Sequence, residues 1–288
     1  MANKNTGLPH EDRTAKEPRS GELHPVIVDS IDQVNETIKL FRLRVKVVER
    51  GVNFLPGQWL DVYTPSTPKA GGFTITSTPS QASPHSPSPY LELAVQKSPY
   101  NPPAAWLWQD PSTILGQELR VRVGGSFVWP PKGVEIGGEK GIDSVVFVAG
   151  GVGINPLISM LSHIREETQS PNNPLNIHFM YTTKSPNSLK EILFLNRLIE
   201  ITKALHNCKL HFFITGCGTN VSEREENQGE LDFAITRKRF NKADLDSAIG
   251  KKEGTVCYVC GPPRMTDKVV EYLGGVVGRE RVFCEKWW

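Results

Sequence analysis

The sequence predicts a two-domain protein, an N-terminal antiparallel β-barrel followed by a C-terminal α/β domain on a parallel sheet. Two observations carry that prediction. Up to about residue 140, short runs of alternating apolar and polar residues are punctuated by Gly and Pro, as in half-buried strands joined by tight turns. From residue 141 on, continuous apolar runs alternate with segments whose apolar residues recur at helical spacing. That is the pattern of strands buried on both faces with crossover helices between them. A chain of 288 residues can hold two such cores.

Residues 1–22 come first and are polar, mixing Lys4, Arg13, Lys16 and Arg19 with Glu11, Asp12, Glu17 and Glu22. They contain no apolar secretory signal, and their acids suit a mitochondrial transit peptide badly. They read as a disordered arm on an intracellular, cytoplasmic protein. Residues 23–140 read as the barrel. Its strand-like runs are Ile38–Val45, Gln58–Tyr63, Phe73–Thr76, Tyr90–Val95 and Glu118–Val123. The Ser/Pro-rich stretch 79–89 reads as an exposed loop. Residues 141–288 read as the α/β domain, with strands at Val145–Ala149, Ile177–Tyr181, Leu210–Ile214, Thr255–Cys260 and Val282–Cys284. Helices are predicted through Leu157–Ile164, Leu189–Ile199 and Met265–Leu273, and 216–230 reads as a polar loop. His178 and His211 fall within strand patterns and read as packed or edge residues, not catalytic bases.

The charge balance, 33 basic against 31 acidic residues, argues against a general binder of nucleic acid or membrane surfaces. No apolar run approaches the roughly 20 residues of a membrane span. Five cysteines do not suggest a disulfide framework. A monomer that binds a small-molecule nucleotide is the expectation.

Two turns carry chemistry. Gly150-Gly151-Val152-Gly153-Ile154-Asn155-Pro156 lies between a buried strand and an amphipathic helix. Glycines there allow a sharp turn and close approach of a ligand, and the helix start offers free N–H groups to a phosphate. Pro156 suits the first helical turn. The spacing is neither G-x-G-x-x-G nor a Walker loop, so a tight connection without ligand stands beside the phosphate reading. The second turn, Cys260-Gly261-Pro262-Pro263-Arg264-Met265, again follows a strand. A thiol at that strand end is small and polarizable and can lie beside a planar ring. Cys257-x-x-Cys260 also admits a metal or dithiol reading. However, residues three apart in a strand face opposite ways, and no second Cys/His pair has zinc spacing, so no metal is expected.

The barrel, Phe73-Thr74-Ile75-Thr76-Ser77, the two turns and Glu285-Lys286-Trp287, in that order, resemble the ferredoxin–NADP reductase superfamily over about residues 24–288. Gly71-Gly72-Phe73, Val123-Gly124-Gly125 and Cys284-Glu285-Lys286-Trp287-Trp288 resemble one subgroup of it. The resemblance implies an oxidoreductase whose barrel binds FAD, with FMN possible, and whose α/β domain binds NADH or NADPH. It implies that Phe73 packs on the flavin and Thr74 orients its N5, with Ile75, Thr76 and Ser77 alongside and Trp287 covering the ring. It implies that Gly150–Pro156 and Cys260, Gly261, Pro262, Pro263 and Met265 hold the nicotinamide nucleotide. Thr74, Cys260 and Glu285 would be the catalytic group. It also implies a mitochondrial alternative for the compartment.

One departure stands out: Gly71 occupies the place of the motif's phosphate-pairing Arg. Backbone N–H groups at the helix start around Asn101–Trp106, Ala104 included, and the charge of Lys97 are the expected substitutes. No acid follows Tyr181-Thr182-Thr183-Lys184 to hold a ribose 2′-hydroxyl. Lys184 or Arg237-Lys238-Arg239 would meet a 2′-phosphate, or the latter is simply a solvated basic face. Three functions stay open: a flavin-dependent NAD(P)H oxidoreductase, a reductase passing electrons to a redox protein, and a non-catalytic NAD(P)H-binding module with a degenerate flavin site.

Overall fold

A computed structural model of the chain describes residues 8–134, 136–137, 141–167, 175–216 and 233–286. Most of the 216–230 stretch, and Trp287 with Trp288, lie outside them. The chain divides into two compact units. One holds the residues up to Trp129 together with Ile158–His163, and the other holds Pro130–Leu157 and Ile164–Lys286.

The first unit is a six-stranded antiparallel sheet with short helices α1 (His10–Arg13), α2 (Pro102–Leu107) and α3 (Pro111–Ile114). Its strands are β1 (His24–Asn35), β2 (Ile38–Val45), β3 (Trp59–Tyr63), β4 (Gly71–Thr74), β5 (Tyr90–Gln96) and β6 (Glu118–Gly124), in the order β4-β3-β6-β1-β2-β5. The end strands meet: Ile75 bridges Leu93, and the Thr76 N–H donates to the Glu92 carbonyl at 2.9 Å. That is the closure expected of a small barrel, and it leaves few open edges. Alternate side chains Leu60, Val62, Leu91, Leu93, Leu119 and Val121 fill the interior. β1 is not evident in the sequence because register shifts at Val28/Ser30 and Gln33/Asn35 break its two-residue period.

Residues 8–22 differ from the disordered arm the composition suggests. Arg19 bridges Gly124, the Ser20 N–H donates to the Val123 carbonyl at 2.8 Å, and His10 is buried. The segment covers the outward residues of β3, Trp59, Asp61 and Tyr63. Asp61 has no exposed surface, and it holds Arg19 Nε at 2.9 Å, Arg122 Nη2 at 2.7 Å and His10 Nε2 at 3.1 Å. Burying polar residues this way is stable only because the charges are paired.

The second unit is a six-stranded parallel sheet of β7 (Ser144–Gly150), β8 (Asn176–Lys184), β9 (Cys208–Thr215), β10 (Phe233–Thr236), β11 (Thr255–Cys260) and β12 (Val282–Glu285). Its order is β10-β9-β8-β7-β11-β12. The helices are α4 (Ile154–Glu167), α5 (Leu195–Ala204), α6 (Lys242–Ile249) and α7 (Pro263–Val277). The predicted helix over Leu189–Ile199 is interrupted: a 3₁₀ turn at Leu189–Glu191 precedes α5, and Phe194, at φ 62°, separates them. Strand order reverses between β7 and β11, and such a switch point opens a crevice at the strands' carboxyl ends. Among the described residues, no helix is long and apolar enough to cross a membrane.

Candidate functional site

In the second unit, the two turns singled out in the sequence leave neighbouring strands at the switch point, with Cys260 in register with Ala149. They fit together through glycine. A Cβ on Gly153 would collide with the Cys260 carbonyl and lie 2.6 Å from Gly261 Cα. A Cβ on Gly150 would lie 2.7 Å from Pro262 Cδ and 2.8 Å from Met265 Sδ. Met265 therefore packs its thioether tip between the turns, and the Thr266 hydroxyl donates to the Gly261 carbonyl at 3.1 Å to fix the second one. Gly151 is different. Its φ of +54° is a left-handed conformation, and a Cβ there would meet nothing within 4 Å. Ile154, Asn155 and Pro156 are buried, whereas Gly151 and Val152 are partly exposed. Gly151 and Val152, in the 3₁₀ turn that leads into α4, are thus the partly exposed residues of this turn.

Cys260 ends β11 beside Glu285 of β12. Burial, with the Glu285 carboxylate and Cys284 nearby, pushes its thiol well above the ordinary range. Burial pushes Cys257 up to about 12. Both thiols are free and neutral, and Cys257 belongs to the core against α7. This fits a packing role for Cys260 better than a dithiol, because the thiolate is the reactive form. Cys208 is likewise held neutral by burial, at about 12. Native protein at pH 8 should therefore leave Cys208, Cys257 and Cys260 unmodified by a maleimide, with labelling only after denaturation. Mass spectrometry checks this, and rapid native labelling of Cys260 would show that its burial is wrong. Among the described residues, no cluster of three or more His, Cys, Asp or Glu is placed to hold a metal ion.

In the first unit, the run Phe73–Ser77 is less available than its motif suggests. Ile75 points into the barrel core and has no exposed surface. The Thr76 hydroxyl donates to Glu92 Oε1 at 2.6 Å, and the Ser77 hydroxyl accepts from the Glu92 N–H at 3.0 Å. The N–H groups of Ile75 and Thr76 are spent on the Gln58 and Glu92 carbonyls. Pairing with β5 decides this, and no local pattern in residues 73–77 announces it. Phe73 and Thr74 are less committed. Phe73 is partly buried against the barrel, and Thr74 is 5% exposed with a hydroxyl that has no hydrogen-bond partner among the described residues.

Several groups expected to meet a phosphate already have neighbours. A Cβ on Gly71 would lie 2.6 Å from Phe73 Cε2 and 2.7 Å from Pro103 Cβ, so the motif Arg's place is closed by packing. The start of α2 offers little in return. Pro102 and Pro103 have no N–H, the Ala104 N–H faces Asn101 Oδ1 at 3.5 Å, and the Ala105 N–H donates to the Asn101 carbonyl at 2.8 Å. The Lys97 ammonium lies over the Trp108 indole, 5.4 Å from its centroid. Of the other cations, Lys184 is exposed at the end of β8, and Lys238 lies 3.3 Å from Asp244. The two strand histidines are partnered, His178 with the Ala248 carbonyl and His211 with the Thr236 hydroxyl at 2.7 Å.

Residues 142–273 match the ferric reductase NAD-binding domain family. The chain is 32% identical over 289 aligned residues to oxidoreductase NAD-binding domain-containing protein 1 of Xenopus laevis, covering 97% of this chain and 84% of that protein. Among solved structures, an Amycolatopsis cytochrome P450 reductase superposes with a TM-score of 0.67 at 16% identity, covering 94% of this chain and 71% of that one. The flavohem-like FAD/NAD-binding domain of a nitric oxide dioxygenase from Vibrio cholerae gives 0.64 at 15% identity, over 91% of this chain and 97% of that one. At such identities the last two show a shared fold, of the ferredoxin–NADP reductase kind.

Proposed function

The chain belongs to the family of oxidoreductase NAD-binding domain-containing protein 1, and on that premise we propose that it is an NAD(P)H-dependent flavoprotein oxidoreductase delivering electrons to an acceptor. The observation that carries this reading is the interlocked pair of turns at the switch point, with Gly151 open to a ligand and the neutral Cys260 beside Glu285. The Gly151 and Val152 peptides would bind a nucleotide phosphate, and Cys260 and Glu285 would line the place of the nicotinamide. A neutral thiol there packs against a flat ring and presents no charge to it.

The barrel residues fit the ring end of a flavin. Thr74 brings a hydroxyl with no hydrogen-bond partner among the described residues, and Phe73 an aromatic face. At the phosphate end the motif cation has no room, so binding there would rely on other groups. When bound, flavin supplies the hydride-accepting chemistry; the protein supplies position and electrostatics. The Thr74 hydroxyl would orient the ring by one hydrogen bond. Trp287 is the proposed cover of that ring.

Closure of the Gly71 site also favours a second reading, a nucleotide-binding module without flavin. One experiment separates them. The purified protein, incubated with FAD or FMN and desalted, is expected to stay yellow and to bleach anaerobically with NADH or NADPH. Protein that retains neither flavin but binds a nicotinamide nucleotide sinks the reductase reading in favour of the second. Comparing the two nucleotides fixes the preference between them.

A further inference from the structure

Residues 8–22 lie against the strand that carries Phe73 and Thr74, and we propose that they form a strap positioning β4 for flavin, with His10 as the positioning residue. This rests on the flavin reading above. β4 has reason to need support. It is four residues long, stands at the end of the sheet order, pairs along its length with β3, and begins with two glycines. Glycine loses more conformational freedom on ordering than any other residue, and it leaves a strand without a side chain to pack.

His10 supplies the missing side chain. Its imidazole fills the space above Gly72 so closely that a Cβ there would fall 2.5 Å from His10 Nε2 and closer to two other ring atoms. The ring is held from behind by Trp59, edge-on with centroids 4.6 Å apart, and by Asp61 Oδ1 at 3.1 Å. Asp12, two residues on, pairs with Lys69 at 2.9 Å, just before β4 begins. Glu11 Oε1 accepts from the Tyr63 hydroxyl at 3.1 Å, tying the same short helix to β3. Across β4, Gly71 rests on Pro103 and on the Phe73 ring itself. The two glycines are thus gripped from both sides, and the grip sets where Phe73 and Thr74 stand.

The test measures FAD and FMN binding to full-length variants, with the visible spectrum of any bound flavin. His10→Ala is expected to weaken flavin binding about tenfold and to shift the spectrum, and His10→Phe, which keeps a ring over Gly72, to recover most of the affinity. Gly72→Ala, which drives the ring out while leaving Asp61 with Arg19 and Arg122, should reproduce the His10→Ala result. Gly21→Ala lies in the same segment with nothing within 4 Å of the added Cβ, and should match the parent. Flavin affinity and spectrum unchanged in both His10→Ala and Gly72→Ala would overturn the proposal. If the parent protein takes up no flavin, the flavin reading has failed and the strap is tested alone by hydrogen exchange. The Phe73 amide, which faces β3 opposite Leu60, should then exchange about tenfold faster in His10→Ala, with β2 and β5 unchanged. Equal protection in the two proteins would overturn the strap.

Discussion

Gly153→Ala is expected to abolish nicotinamide-nucleotide binding and to destabilise the α/β unit by about 3 kcal/mol, the upper end for forced overpacking. The reason lies in what the new methyl group meets. Its nearest neighbours are the Cys260 carbonyl group, with the carbon at 2.5 Å, and Gly261 Cα at 2.6 Å. These are backbone atoms at the end of β11, a strand buried along its whole length. No rotamer change relieves the clash, so either β7 and β11 separate at their carboxyl ends or the turn after β7 leaves its conformation. In either case Cys260 and Gly151 lose the arrangement proposed for the nucleotide.

Gly151→Ala makes the informative contrast. Its Cβ meets nothing, so the cost is the left-handed φ of +54°, about 1 kcal/mol. Its methyl, however, stands where a phosphate is proposed to approach. Thermal unfolding and calorimetric titration with NADH should therefore separate the pair. Gly153→Ala should lose both melting temperature and binding, whereas Gly151→Ala should lose mainly binding. A Gly153→Ala protein that melts and binds like the parent would mean that the turns do not interlock.

These turns were legible in the sequence because everything that defines them is local. The glycines, the buried strand before and the amphipathic helix after lie within the 24 residues Ser144–Glu167, and the strand and helix show by period alone. The same holds for Cys260 at a strand end. What the sequence concealed depends on pairing across long separations. Thr76 and Ser77 are committed to Glu92 of β5, sixteen and fifteen residues away. Asp61 meets Arg19 and Arg122, 42 and 61 residues away. A lone Asp in an alternating strand looks like any outward polar residue. Only the fold shows that another segment lies over it, and that His10 and Arg19 of that segment pair with it. The closed Gly71 site was half legible: the sequence shows the missing Arg, but not the Phe73 ring and Pro103 that leave no room for one.

Asp61→Ala is expected to cost the barrel unit about 3 kcal/mol, since removing one partner from a buried ion network leaves its counter-charges uncompensated. Arg19 and Arg122 both donate to Asp61 Oδ2 at 2.9 Å through their Nε atoms, and His10 approaches Oδ1. For a unit of this size, that is a fall in melting temperature of roughly 6–12 °C. Asp29→Ala is the control. Asp29 pairs with Arg44 at 3.3 Å and Arg42 at 3.7 Å, but on the surface, where such pairs contribute under about 1 kcal/mol. The same contrast appears in pH. Three donors hold the Asp61 carboxylate down to about 2 against the pull of burial, from an unfolded value of 3.8. A carboxyl depressed on folding stabilises the native state fully above its unfolded value, and that contribution is lost as pH falls through 3.8 toward 2. Its size is on the order of 2 kcal/mol. Stability measured by urea unfolding should therefore fall more steeply between pH 4 and pH 2 in the parent than in Asp61→Ala. Parallel pH profiles for the two proteins would show that Asp61 does not anchor residues 8–22.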